Sequence, residues 1–284
     1  MSKVRIVTDV TANLDPDLVA RHQITLLPVE IRFGDEKFLI HRDGGQEKLF
    51  QRMAHGSVQP CQATIPTRAI QAAYDRLSRE TDEILVILSS CRLSQALPRA
   101  QAATRPFLGR CRISILDSMT ASWGLALTVE AAAQAAAQGS SLDEVVRLVR
   151  GILPHIYLVF FVERLDYLEQ GGRVSTAQAL LGTMLGIKPL LLVEDGDIVP
   201  LEKVRTRLMA IEKLVSFVDE FATVERLVIL VGPLARESTE LIDELHGQLH
   251  QILPDHKIPV MEYDPILACH LGPDALGVVV YEGM

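Results

Sequence analysis

Ser94 and His270 are the side chains of this 284-residue chain that would make the simplest catalytic pair, a hydroxyl nucleophile and its general base. Ser94 lies in Ser89-Ser90-Cys91-Arg92-Leu93-Ser94-Gln95-Ala96-Leu97-Pro98, between a strand-like run and a helical one. That is where the nucleophile elbow of a serine hydrolase stands, yet neither Ser90 nor Ser94 is flanked by the glycines such a crowded turn uses. A small-molecule hydrolase or transferase built on Ser94 and His270 would therefore need a direct hydrogen bond between them and a separate oxyanion hole. His270, in Ala268-Cys269-His270-Leu271-Gly272-Pro273, equally suits a hydrogen-bonded ring that holds the Gly-Pro turn. No HExxH or Cys-His spacing surrounds it, so no metal is expected.

Other polar side chains recur where apolar runs end. Pro60-Cys61-Gln62-Ala63-Thr64-Ile65-Pro66-Thr67 precedes a helical pattern; Thr64 or Thr67 would cap that helix, with Pro66 shaping its start. A helix N-terminus also favours an anion, which makes the Thr64 hydroxyl a candidate ligand contact. In Asp9-Val10-Thr11-Ala12-Asn13-Leu14, Thr11 or Asn13 would cap the helix near Pro16, leaving Asp9 to organise neighbouring hydroxyls. Asp117 and Ser118 would cap the next Ala-rich helix, with Ser122 one turn on and able to face a cleft. Arg173, after the Gly171-Gly172 break, suits bidentate contact with phosphate or carboxylate, or an ion pair with Glu169 or Asp166. Arg205 and Arg207 form either a basic rim or ordinary surface charge.

The elements that must position these groups read as strands at 4–9, 24–33, 84–89 and 112–117, separated by helical patterns at 15–22, 67–79 and 121–138. Strands alternating with helices predict a parallel sheet covered on both faces, with ligands beyond its carboxyl ends. After Gly151-Ile152-Leu153-Pro154 the rhythm changes. A strand at 156–162, a helix at 175–185 and two short strands meeting at Glu194-Asp195-Gly196-Asp197 follow, the Asp-Gly pair being a hairpin signal. A helix at 206–222, a strand at 226–231, a helix at 238–249 and strands near 258–263 and 276–281 complete the chain. The expected architecture is α/β in two domains: a parallel-sheet α/β/α domain over 1–153 and an α+β domain with a mixed sheet over 154–284, with a ligand site at or near their interface.

Composition narrows the function classes. A formal charge of -8 argues against nucleic-acid binding, which needs clustered Lys and Arg. The N-terminus becomes charged too soon for a signal peptide, and no apolar run reaches transmembrane length, so a soluble cytoplasmic protein is expected. Cys61, Cys91, Cys111 and Cys269 are scattered without a CxxC pair, which favours free thiols over a disulfide frame or zinc site. No Walker loop or kinase motif is present.

The run Tyr167-Leu168-Glu169-Gln170-Gly171-Gly172-Arg173-Val174-Ser175 resembles the signature of the DegV family. The likeness continues, in that family's order, through Gly186-Ile187-Lys188-Pro189-Leu190, Asp195-Gly196-Asp197-Ile198, Lys203-Val204-Arg205-Thr206-Arg207 and His270-Leu271-Gly272-Pro273-Asp274-Ala275-Leu276-Gly277. It spans essentially the whole chain. The resemblance implies a bacterial carrier that binds a long-chain fatty acid in an apolar tunnel and presents it to a separate fatty acid kinase for acyl phosphate formation, with no cofactor and no catalytic residue of its own. It places the carboxylate on Thr64, Ser94 and His270, matching the family's Thr-Ser-Gln-Pro-Ser and Leu-Ser-Gly-Thr-Tyr loops and its C-terminal histidine. Asp9, Ser122, Ile266 and Leu267 become pocket candidates, and the apolar run 180–186 a further tunnel lining. Arg173 and Arg205 become contacts for the kinase, a phosphate or an anionic membrane surface. Val10, Gln95 and Ala96 stand where the family has Ser, Gly and Thr, which alters the head-group surroundings.

Overall fold

The computed structural model describes residues 4–41, 44–55, 57–172, 187–235 and 239–284. Strands β1 (Arg5–Asp9), β2 (Thr25–Leu27), β6 (Glu83–Leu88) and β7 (Arg112–Asp117) form a parallel sheet in the order β2-β1-β6-β7. In β6, five consecutive apolar residues after Glu83 are buried, as expected for a strand covered on both faces. One face packs under α5 (Ser122–Ala137) and α6 (Leu142–Ile152) through Ile6, Leu85, Ile87, Leu125, Val129 and Val145. The alanines of α5 supply a surface without long side chains, so the helix can lie close to its neighbours. The opposite core continues through Val86 and Leu88 into the second half of the molecule, reaching Leu158, Phe160 and Tyr167.

The expected strand at 24–33 is two strands. Pro28 lies between β2 and β3 (Val29–Phe33) and has no N–H to continue a ladder, so the chain leaves the parallel sheet there. β3 pairs antiparallel with β4 (Glu36–Ile40) and β5 (Cys61–Thr64) in a separate sheet ordered β4-β3-β5. The segment read as a loop around Thr64 is thus the edge strand β5. Helices α1 (Pro16–His22), α2 (Gln46–His55), α3 (Thr67–Leu77) and α4 (Ala96–Ala102) complete this half.

A short 3-10 turn at Leu153–His155 leads into β8 (Ile156–Phe161), which opens a six-stranded mixed sheet. Its other strands are β9 (Lys188–Glu194), β10 (Asp197–Val204), β11 (Arg226–Val231), β12 (Val260–Glu262) and β13 (Leu276–Tyr281), in the order β10-β9-β8-β13-β11-β12. Only the β11–β12 pair is parallel. The β9–β10 hairpin turns at Asp195-Gly196, with both residues at positive φ. Helices α7 (Asp166–Gln170), α8 (Arg207–Asp219), α9 (Thr239–Ile252) and α10 (Pro265–Leu271) belong to this half. The helix expected at 175–185 lies outside the described residues.

Helix starts depart from expectation. Asp15, not Thr11 or Asn13, caps α1 by accepting from Asp17 N at 2.8 Å. Asn13 instead donates from Nδ2 to Glu262 O at 3.1 Å, tying the two halves together. Neither Thr64 nor Thr67 caps α3, whose N-cap position is Pro66. Asp117 accepts from Met119 N at 2.9 Å and from Cys91 N at 3.3 Å, so it braces two loops rather than capping α5.

Candidate functional site

The parallel sheet reverses its winding between β1 and β6, and a doubly wound sheet opens a ligand crevice beyond the strand ends at such a point. Two loops meet there. Asp9 accepts from Thr11 N at 2.9 Å and from the Thr11 hydroxyl, whose oxygen lies 3.1 Å from Ser89 Oγ. After β6, Ser90 O accepts from Leu93 N at 3.0 Å and Ser94 N at 2.9 Å, closing a tight turn. The Ser90 hydroxyl donates to Gly196 O at 2.7 Å, which docks the β9–β10 hairpin tip on this loop.

Thr64, Ser94 and His270 come from three elements into one neighbourhood. Ala63 O, beside Thr64, accepts from Gln95 N at 2.9 Å and from Ser94 Oγ at 3.4 Å. His270 Nε2 lies 3.1 Å from Leu93 O; because a carbonyl only accepts, Nε2 carries the hydrogen there. Cys61 of β5 and Cys269 of α10 are joined by a disulfide, which sets the strand bearing Thr64 against the helix bearing His270. This corrects the expectation of four free thiols: only Cys91, exposed, and Cys111, buried, are free. Residues 208 apart in sequence carry no local sign of pairing.

The Ser94 hydroxyl also accepts from Ala96 N at 3.2 Å, so its hydrogen bonds go to backbone groups and none goes to His270. The Ser-His contact required for a hydrolase is therefore not made among the described residues. The Thr64 hydroxyl oxygen is buried and has no hydrogen-bond partner among them. Thr120 Oγ1, Ser122 Oγ, Asp9 Oδ2 and Asp264 Oδ2 share that condition. A buried polar atom left unmatched costs about 1–3 kcal/mol, so this concentration at one end of a sheet marks a place adapted to something other than stability.

Asp264 is a site residue that motif reading missed, although Asp before Pro at a helix start is a legible capping signal. Its Oδ1 accepts from Ile266 N at 2.7 Å and Leu267 N at 3.2 Å, anchoring α10. Burial pushes its carboxyl up to about 7, and the nearby Asp9 charge pushes in the same direction. Asp9 is itself raised by burial, against the lowering effect of its bonds from Thr11. Ile266 and Leu267 are buried in the core shared by both halves. Tyr263 donates from its hydroxyl to Gly272 O at 2.5 Å and accepts from Ala275 N at 3.1 Å, pinning the turn after His270.

Gly171 explains half of the Gly-Gly break. A Cβ there would stand 2.8 Å from His270 Nδ1 and 2.9 Å from Tyr167 O, so only glycine allows this close approach. Gly172 takes φ +80°. Arg173 and the apolar run 180–186 lie outside the described residues. Arg205 is exposed, and Arg207 pairs with Glu163 at the edge of the second sheet, where Lys188 meets the same carboxylate. A surface cavity of about 500 Å³ opens beside the loop after β1, lined by Val10, Asn13, Leu26, Ile40 and His41 among others. His246 and His250 stand one turn apart on α9 with ring centroids 4.9 Å apart, but the described residues bring no third metal ligand to them. No helix of the described residues is long and apolar enough to cross a membrane.

Residues 3–283 match the family model described as an uncharacterised protein of the DegV family. A DegV domain-containing protein of Streptomyces coelicolor is 32% identical over 281 residues, covering 98% of each chain. Among solved structures, a DegV family protein from Thermus thermophilus described by its fatty acid binding superposes with a TM-score of 0.85 at 25% identity, covering 100% of both chains. DegV of Bacillus subtilis, described as a fatty acid binding protein, superposes with a TM-score of 0.81 at 25% identity over 99% of this chain and 100% of its own. With its end-to-end match, its two-sheet architecture and its Gly-Gly segment seated against the C-terminal histidine, the chain belongs to the DegV family.

Proposed function

We propose that this protein binds a long-chain fatty acid between its two halves, with the carboxylate held by Thr64, Ser94 and His270, and hands it to a partner kinase. The observation that carries this reading is the buried Thr64 hydroxyl, unmatched among the described residues, one backbone step from the carbonyl that binds the Ser94 loop and on the strand bonded to the His270 helix. The fatty acid binding of the Thermus and Bacillus relatives supports it. A carboxylate needs donors when it leaves water, and hydroxyls supply them without placing a permanent charge in the core. Ser122 and Asp9 border the same strand ends. Burying about 15 methylene groups at ~0.8 kcal/mol each gives roughly 12 kcal/mol before ordering and desolvation are subtracted, enough for retention through purification.

The chain acts as a carrier rather than a stand-alone enzyme in this reading, since the described residues bring no base into hydrogen bond with Ser94. Arg205, exposed at the surface, offers an anion contact for the kinase, its nucleotide phosphates or a membrane surface. Native mass spectrometry followed by denaturing extraction tests the reading directly: a stoichiometric fatty acid is expected, and a protein that is empty and takes up no added fatty acid refutes it. Thr64→Val keeps the side-chain shape and removes only the hydroxyl. Fatty acid affinity should fall by about 10- to 150-fold, the worth of one hydrogen bond to a charged group, while folding stability stays level or rises slightly.

A further inference from the structure

We infer that Cys61 and Cys269 form a thiol–disulfide switch that clamps the proposed carboxylate site in its oxidised form and loosens it when reduced. The inference rests on the fatty acid reading for its functional consequence, and on the position of the bond for its mechanism. The disulfide joins the first half to the second: Cys61 begins β5 and Cys269 lies in α10. Thr64 closes the strand that Cys61 opens, and His270 directly follows Cys269. Among the described residues β5 is an edge strand, paired with β3 alone, from Phe33↔Cys61 to Glu30↔Thr64. On its other side it is held by the hydrogen bonds to Ala63 O and by the sulfur bridge. Cutting the bridge removes the covalent link between the proposed ligand contacts Thr64 and His270.

Burial couples this chemistry to the ligand. Cys61 is 4% and Cys269 1% exposed, so an external thiolate cannot align with the sulfur–sulfur bond until β5 and α10 part. That same parting opens the space between Thr64 and His270. A bound acid that bridges the two elements must therefore slow reduction, and reduction must speed its loss, because coupling between two sites is reciprocal. The step is ordinary exchange. One thiolate of an external dithiol attacks a protein sulfur, forming a mixed disulfide and expelling the other cysteine as thiolate. The second thiol of the reagent then displaces the first cysteine. Each cysteine gains a proton, two electrons pass to the protein, and the reagent leaves as a cyclic disulfide. A low-molecular-weight disulfide drives the reverse reaction. In a reducing compartment such a bond is a signal rather than a staple.

The test uses the full chain loaded with isotope-labelled palmitate, in a Cys91→Ser background that removes the exposed competing thiol. Intact mass establishes the oxidised and dithiothreitol-reduced states. Release to acceptor vesicles should be at least about fivefold faster from the reduced protein, the lower end of usual coupling between sites, and palmitate should slow reduction by a similar factor. Cys269→Ser should release at the reduced rate whatever the redox conditions. Equal release from both states overturns the switch, as does failure of a low-molecular-weight disulfide to join the two thiols. If neither state takes up palmitate, the fatty acid reading fails separately. Amide hydrogen exchange at 61–64 and 265–271 then decides the clamp, which is upheld by faster exchange on reduction and overturned by none.

Discussion

Strand β13 and the carboxyl end of the parallel sheet are buried to the same degree and filled with opposite chemistry. Every residue from Leu276 to Tyr281 is buried; the strand lies between β8 and β11, and Gly277 lets the Phe160 ring press on its backbone. Beyond it, α8 and α9 cover the sheet with Ala210, Ile211, Leu214, Val218, Leu245 and Leu249. At the other place Asp9, Thr11, Ser89, Ser94, Ser122, Asp264 and His270 are as thoroughly removed from water. There the chain keeps hydroxyl and carboxyl oxygens that the described residues leave unmatched. The first region carries stability that needs no partner. The second gives stability up, and in a protein near its stability threshold that pattern marks function.

The contrast breaks if damage to the apolar region disturbs ligand binding as much as folding. Leu214 is fully buried on α8, and Leu214→Ala should cost about 2–5 kcal/mol of unfolding free energy by loss of contacts and creation of a cavity. Denaturant unfolding measures that loss. The folded fraction should bind fatty acid with unaltered affinity; a parallel loss of affinity would show that the two regions act as one. Gly171→Ala works from the opposite side. Its new methyl meets His270 Nδ1 at 2.8 Å and the Tyr167 and Cys269 carbonyls at 2.9 and 3.1 Å, so α7 or the imidazole must shift. The stability cost should be about 1–3 kcal/mol, smaller than for Leu214→Ala, while affinity drops about tenfold or more. Titration calorimetry with a fatty acid gives the second quantity, and unchanged affinity would detach the Gly-Gly segment from the site.

The apolar region was the more legible of the two, and the reason is range. Strands such as 112–117 and 226–231 announce themselves by local composition, and the Asp195-Gly196 turn by backbone chemistry within two residues. Pro28 was equally local, yet the apolar residues Leu26, Leu27 and Val29 on either side of it disguised the passage from one sheet to another. The capping box of α6, Ser141 with Glu144, was present in the sequence and unused. The site depends on meetings across long separations. The Cys61–Cys269 bridge, the Asn13–Glu262 bond and the Asp9–Asp264 repulsion join the two ends of the chain, and no periodicity encodes them. Family likeness supplied Thr64, Ser94 and His270 as candidates; the hydrogen bonds through Ala63 and Leu93 supply the reason they stand together.

The pH dependence of stability sharpens the comparison most, because it reads the electrostatics of the polar region alone. Asp264 ionises at 3.8 in an unfolded chain and at about 7 in its buried position. Below the lower value both states hold the proton and the full stability is present. Between the two values the folded protein retains a proton that the unfolded chain has released, so stability falls as pH rises; above about 7 the penalty is constant. Asn at this position keeps an oxygen for the N–H groups of Ile266 and Leu267 and removes the charge. Asp264→Asn should therefore lose less stability than the parent protein between about pH 5 and pH 7.5, followed by denaturant midpoints at each pH. A residual slope of the same sign should remain from Asp9, whose carboxyl is also raised, and Asp9→Asn in the same chain should flatten it further. Leu214→Ala, by contrast, should shift the whole profile downward without changing its slope. Identical slopes in Asp264→Asn and the parent would mean that the buried carboxyl is already ionised across this range, and that the polar region is better solvated than its burial implies.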